Sequence, residues 1–166
     1  MTLIVARCPF FEEPTEVHSA GGPVVVKRYQ IVVWVSLSHA GQLSRRFPAV
    51  LDTGHSHNFS MKEEHLVIWA GWQARTLPTI GRARINKQPV ILKEAKIAVY
   101  CNLPGSRDEI QAAPPHLLDV PEGIAIHADQ DPFAPRLPLL GLRALVKNRL
   151  KLTIDGARLE ASVEGA

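Results

Sequence analysis

The chain has 166 residues, of which 46% are hydrophobic and 21% charged, with a net charge of +3. These are the proportions of one ordinary globular domain that buries a core without covalent staples. Two distant cysteines, Cys8 and Cys101, rule out a C-x-x-C metal site and leave a disulfide framework unsupported, and no apolar run approaches the about 20 residues of a membrane span.

The basic residues are scattered instead of striped, so solubility explains them better than nucleic-acid binding. The opening run Met1-Thr2-Leu3-Ile4-Val5-Ala6-Arg7 is too short for a signal peptide and lacks a basic start. A reducing, cytoplasmic setting with no membrane partner is therefore expected.

Residues 1–23 mix Pro9, Pro14 and Pro23 with Gly21-Gly22 and three glutamates, which predicts an extended arm without a core of its own. Residues 24–166 are expected to form the domain. Val24-Val25-Val26 and the run Tyr29 to Leu37 are β-branched and apolar on both alternating faces, as in strands buried on both sides. His39-Ala40-Gly41-Gln42 reads as a turn, and Leu43 to Leu51 as the returning strand. Ser60-Met61-Lys62-Glu63 matches a capping box and predicts a short helix to about Trp69, ended by Gly71.

Thr79 to Ile85 and Pro89 to Tyr100, joined by Asn86-Lys87-Gln88, predict a hairpin with a polar tip. Asn102 to Pro138 holds seven of the thirteen prolines and reads as loop, apart from a possible strand at Gly123-Ile124-Ala125-Ile126. Leu139-Leu140-Gly141-Leu142 follows, then a helix over Arg143 to Asn148 with Leu142, Leu145 and Val146 on its apolar face. A hairpin around Asp155-Gly156, with arms Arg149 to Ile154 and Arg158 to Val163, closes the chain.

Within this β-rich order, Val50-Leu51-Asp52-Thr53-Gly54 delivers a carboxylate from an apolar strand into a tight turn. Gly54 can take backbone angles closed to other residues, and Thr53 can bond to neighbouring main chain. Together with the downstream hairpin and Leu139-Leu140-Gly141-Leu142-Arg143, this set resembles the retropepsin-like aspartic proteases. That is the family of the retroviral proteases and their single-domain bacterial relatives. The resemblance runs from roughly Val24 to Val163.

The resemblance implies an all-β, closed-barrel acid-protease fold with one or two short helices, working as a two-fold homodimer on a polypeptide substrate. Asp52 is the catalytic candidate, Thr53 and Gly54 complete its loop, and Leu140 and Gly141 form the supporting element beneath it. Thr53 would hydrogen-bond across the two-fold axis. His55, Ile85, Asn86 and Lys87 are the substrate-cleft candidates, the last three belonging to a flap taken as Ile80 to Val90. One aspartate per chain needs a second copy, because the chemistry requires two carboxylates sharing a proton. The mechanism calls for no cofactor and no metal.

The tip lacks the glycines of retroviral flaps, and His55 stands where the family commonly has alanine or serine. That ring either faces the catalytic pair or packs away from it. His55, His57 and His65 with Asp52 suggest a zinc site as a distant alternative. The main rival reading is a catalytically silent domain of the same fold that dimerises or grips extended peptides by strand addition. Trp34, Trp69 and Trp72 read as core and rim, Arg143, Lys147 and Arg149 as a solvated face, and the two cysteines as free thiols.

Overall fold

A computed structural model describes residues 3–165, so Met1 and Thr2 of the expected arm, and Ala166 at the chain's end, lie outside the described residues. The molecule is mostly strand, with little helix. Its centre is a ten-stranded mixed sheet built around β4 (Val32–His39) and β6 (Phe47–Asp52). Both strands read as apolar on successive residues and both are buried on two faces, so side chains of either parity find packing partners.

The two strands pair antiparallel, Val32 opposite Val50 and Val35 opposite Phe47. Beyond β4 lie β10 (Lys96–Tyr100) and β11 (His116–Leu118). On the other side of β6 come β13 (Leu139–Gly141), β7 (Phe59–Lys62), β12 (Ile124–His127), β9 (Gln88–Lys93) and β8 (Thr79–Ile85). The short β5 (Gln42–Leu43) pairs with β4.

The pairing runs from β11 to β8 without joining its ends, so the barrel closure expected from the sequence is not part of it. A second sheet has the order β1 (Leu3–Pro9), β15 (Glu160–Gly165), β14 (Lys151–Asp155). β2 (Thr15–Ser19) and β3 (Gly22–Val26) form a separate hairpin.

The segment expected to be an arm without a core is therefore two strands and the start of a third. Val5, Ala6, Cys8, Phe10 and Val17 join the same hydrophobic cluster as Phe47, Phe59 and Leu140. Two of the prolines that suggested an arm lie within strands, Pro9 opposite Glu160 and Pro23 opposite His18, and the apolar residues of β1 pair with the far end of the chain, Cys8 opposite Ala161. Arg107 ties this region to the long loop: it donates to Thr15 Oγ1 and to Gln30 O (2.8 Å), and lies over the Phe11 ring.

The expected capping box does not form. Ser60 and Met61 belong to β7, and Lys62 occupies the N-cap of α1 (Glu63–His65) without a side-chain bond. The helix continues as a π-helical turn over Leu66–Ala70 and stops at Gly71, whose φ of 75° is left-handed. Within the proline-rich stretch, β12 was legible and β11 was not. In α2 (Leu142–Lys147), Ala144 and Leu145 are buried, whereas Leu142 and Val146 are exposed, so the apolar face is rotated from the expected one. The last hairpin turns through four residues between Asp155 and Glu160. Asp155 Oδ1 accepts the N–H groups of Ala157 and Arg158, both at 3.0 Å.

The β8–β9 hairpin turns on Asn86-Lys87 alone, with Ile85 opposite Gln88. Both turn residues have positive φ, 52° and 67°, the signature of a type I′ turn whose second position favours glycine. Lys87→Gly is expected to stabilise the chain by about 0.5–1 kcal/mol, relieving left-handed strain in excess of the added chain entropy. A urea midpoint that rises at constant slope checks this; one that falls contradicts it.

Candidate active site

Asp52 is the last residue of β6, and three parallel pairs set its surroundings: Leu139 with Val50, Leu140 with Leu51, Gly141 with Asp52. The strand that supports the aspartate thus enters from 87 positions downstream and lies between β6 and β7, separating two strands that are neighbours in sequence. Leu140 is buried in the core. Asp52 is half-buried, while Thr53 and Gly54 are exposed beyond it.

The loop after Asp52 is stitched on both sides. Gly54 N–H donates to Asp52 Oδ1 (2.9 Å), and His55 N–H donates to Asp52 O (3.1 Å). Gly141 N–H then donates to Asn58 O (2.9 Å), and Leu142 N–H to His55 O (2.8 Å). Gly141 is where these parts meet most closely. A Cβ built there would lie 1.9 Å from His57 O and 2.7 Å from His55 O, so the loop can pass over β13 only because that side chain is a hydrogen. One carboxylate oxygen is held by a backbone donor in a loop fixed at four points, which leaves the group oriented and partly open to solvent.

His55 does not stand free in the cleft. Its Nε2 bonds to Ser60 Oγ at 2.7 Å, and its ring lies 5.6 Å from that of His57. This explains the failed capping box, since the hydroxyl predicted to start a helix instead anchors the loop after Asp52. Burial lowers the His55 pKa below the usual histidine value, the neighbouring His57 adds to the shift, and Asp52 opposes it. His57 is lowered chiefly by burial and then by Arg143, and His65 also chiefly by burial.

A histidine whose folded pKa lies below its unfolded value of about 6.5 contributes stability that is complete above that value and is lost as the pH falls through it toward the folded pKa. In that window the unfolded chain binds more protons. The urea midpoint is therefore expected to drop between pH 7.5 and pH 5. A flat midpoint across that range would contradict the burial of these rings.

The middle of the hairpin, rather than its tip, meets the loop after Asp52. Ala83 and Leu92 line a cavity of about 50 Å³ with His57, Asn58 and Arg143. Asn86 and Lys87 at the tip are exposed, and Ile85 is half-buried. Arg143 is not simply solvated: its Nη1 donates to Glu122 Oε2 at 2.5 Å beside this cavity.

His65 stacks on Trp69 with ring centroids 4.2 Å apart. Among the described residues no group of three His, Cys, Asp or Glu is arranged to hold a metal ion. Cys8 and Cys101 are free thiols, and burial pushes the Cys8 thiol up to about 12.

Three residues near this region carried no legible signal of their own. Asn58 is buried with its Oδ1 unpartnered. His127, fully buried at the end of β12, bonds through Nδ1 to Asp131 Oδ2 at 3.0 Å. That hydrogen bond, helped by the Phe133 N–H, holds the Asp131 pKa below the usual carboxylate range. A histidine four residues before an aspartate was the available clue, but the spacing is common. Only the register, Ala125 opposite Ser60 and His127 opposite Lys62, places His127 on the sheet face that carries Ser60.

No family model, no curated protein and no solved structure matches this chain.

Proposed function

We propose that the protein is an aspartic endopeptidase of the retropepsin-like type, assembled from two copies. One observation carries the reading. Asp52 ends a buried strand, in parallel register with a glycine of a strand from far downstream, and the loop between is bonded to both. Two chain segments from opposite ends of the domain thus combine to hold a single carboxylate still while leaving it open to solvent.

With one such aspartate per chain, a second copy would supply the second carboxylate around a two-fold axis, an isologous contact. The pair would share a proton, because two adjacent carboxylates do not both ionise. The ionised Asp52 would take a proton from a water held between the two, and the water oxygen would add to the peptide carbonyl carbon. The protonated Asp52 would hydrogen-bond to the carbonyl oxygen. Collapse of the tetrahedral intermediate would then pass a proton to the leaving nitrogen. Thr53 would bond across the axis, and the β8–β9 hairpin would cover the cleft and exclude water.

In this arrangement His55, turned back onto Ser60 and biased to its neutral form, would add no positive charge beside the pair at neutral pH. Acid would protonate it and favour ionised carboxylates. The test is cleavage of denatured protein by the purified chain, with its self-association measured in parallel and Asp52→Asn as control. A dimer that cleaves nothing between about pH 3 and 8, a range over which such a dyad could titrate, would instead mark a silent domain of this architecture. A strict monomer would remove the second carboxylate and end the proposal.

A further inference from the structure

The two faces of the β8–β9 hairpin differ in chemistry. Ala83 and Leu92 face the loop after Asp52. Arg82 pairs with Ile91, and Ile91 with Ile126, so these three occupy the opposite face. There a cavity of about 260 Å³ is walled by Pro89, Ile91, Ile126 and Ala128. We propose that this cavity binds a small monocarboxylate with an apolar aliphatic or aryl tail.

Charge fixes the head group. Lys93 lines the cavity and is 91% buried, at 9% exposure. Its Nζ donates to Leu77 O (3.1 Å) and Thr79 Oγ1 (2.8 Å). An ammonium carries three donors, so one remains to be spent, and among the described residues no carboxylate pairs with Lys93. A buried cation without an anion is costly, and a ligand carboxylate would offset that cost. Arg82, on the same wall, also lacks an acid partner among the described residues and presents a fork that matches a carboxylate. Glu63 is the acid that lines the cavity, beside Arg82, Lys93 and the ring of His127, whose Nδ1 is already bonded to Asp131.

The walls fix the tail. Proline, isoleucine and alanine side chains offer area for apolar contact and no hydrogen-bonding group, so a hydrocarbon chain or ring gains about 25 cal/mol per Å² buried there. Ile91 remains substantially exposed on this face although its neighbours on β12 are covered. The site lies at the root of the hairpin, where Lys93 ties β9 to the segment Leu77–Thr79, and its occupancy does not depend on the protease reading.

The experiment is an NMR titration of the full chain with 3-phenylpropanoate at pH 7.5, with 3-phenylpropan-1-ol as the neutral match. Saturable shifts centred on Ile91, Ile126 and Ala128 are expected. The acid should bind at least about tenfold more tightly than the alcohol, the worth of one charge-assisted hydrogen bond. Arg82→Gln, an exposed change that leaves the core untouched, should weaken the acid by several-fold and the alcohol hardly at all. Lys93→Met should do the same, and circular dichroism would show whether that variant is folded. The proposal falls if the alcohol binds as well as the acid, if Arg82→Gln leaves the acid's affinity unchanged, or if no shift saturates. Since Asp52→Asn should bind equally well, loss of protease activity and loss of this site are separately visible.

Discussion

Gly141→Ala is expected to destabilise the chain by at least about 3 kcal/mol, in the range that single substitutions reach only through a specific structural conflict. The new methyl would sit 1.9 Å from the carbonyl oxygen of His57, a distance no real contact tolerates. The oxygen belongs to backbone, so no side chain can swing aside. Nor can the loop retreat, because Gly141 N–H is bonded to Asn58 O and Leu142 N–H to His55 O. Breaking each of these bonds costs about 0.5–1.5 kcal/mol on top of the overpacking itself, about 1–3 kcal/mol.

Torsion is not the cause, since φ at Gly141 is −97°, open to any residue. Urea unfolding measures the loss, with Gly156→Ala as the control: nothing lies within 4 Å of a Cβ there. If the two variants proved equally stable, the close passage of the loop over β13 would be wrong.

Asp52→Asn is expected to lower peptide hydrolysis by about 10³-fold or more while leaving the fold intact, as loss of a general acid–base group does. The amide oxygen of asparagine can still accept the Gly54 N–H, the one bond that Asp52 Oδ1 makes within its own loop. Stability should therefore change little, and a lost activity would report chemistry instead of unfolding. A sharper form of the test follows from the proposed sharing of the site between two copies. Excess Asp52→Asn chains mixed with native chains should silence them by forming mixed dimers, since one amide cannot take part in the proton exchange. Activity that merely adds up from the native fraction would mean each chain works alone, and the two-copy mechanism would be lost.

Several features were legible because they depend on near neighbours. The β-branched alternation of Val32 to Leu37, the left-handed stop at Gly71, and the polar turn at Asn86-Lys87 are all local preferences of backbone and side chain. Asp52 was recognisable as an acid at the end of an apolar strand for the same reason. Ser60 shows where local reasoning fails. The serine and the glutamate three positions later satisfy a helix-start pattern, yet Phe59 and Met61 on either side are both fully buried, and β13 and β12 flank the segment as ladder partners. Tertiary pairing outweighed a cap worth about 1 kcal/mol.

The N-terminal strands and the rotated face of α2 were missed in the same way. Cys8 finds Ala161 and Leu145 finds the core through contacts that no window of sequence contains. Whether Leu142 or Ala144 turns inward depends on how α2 leaves Gly141, and the His55 carbonyl decides that by accepting the Leu142 N–H.

By itself the amino-acid order determined that this chain would be rich in strands, that Asp52 would stand at a turn, and that a glycine would follow two leucines near residue 141. The resemblance placed Gly141 beneath Asp52, and only the folded molecule decided that Ser60 holds His55 and that the sheet runs from β11 to β8 with β13 inserted between β6 and β7. The division has a physical cause. Strand and turn preferences act within a few residues, whereas register, insertion order and close backbone passage are set by which distant surfaces bury one another most completely.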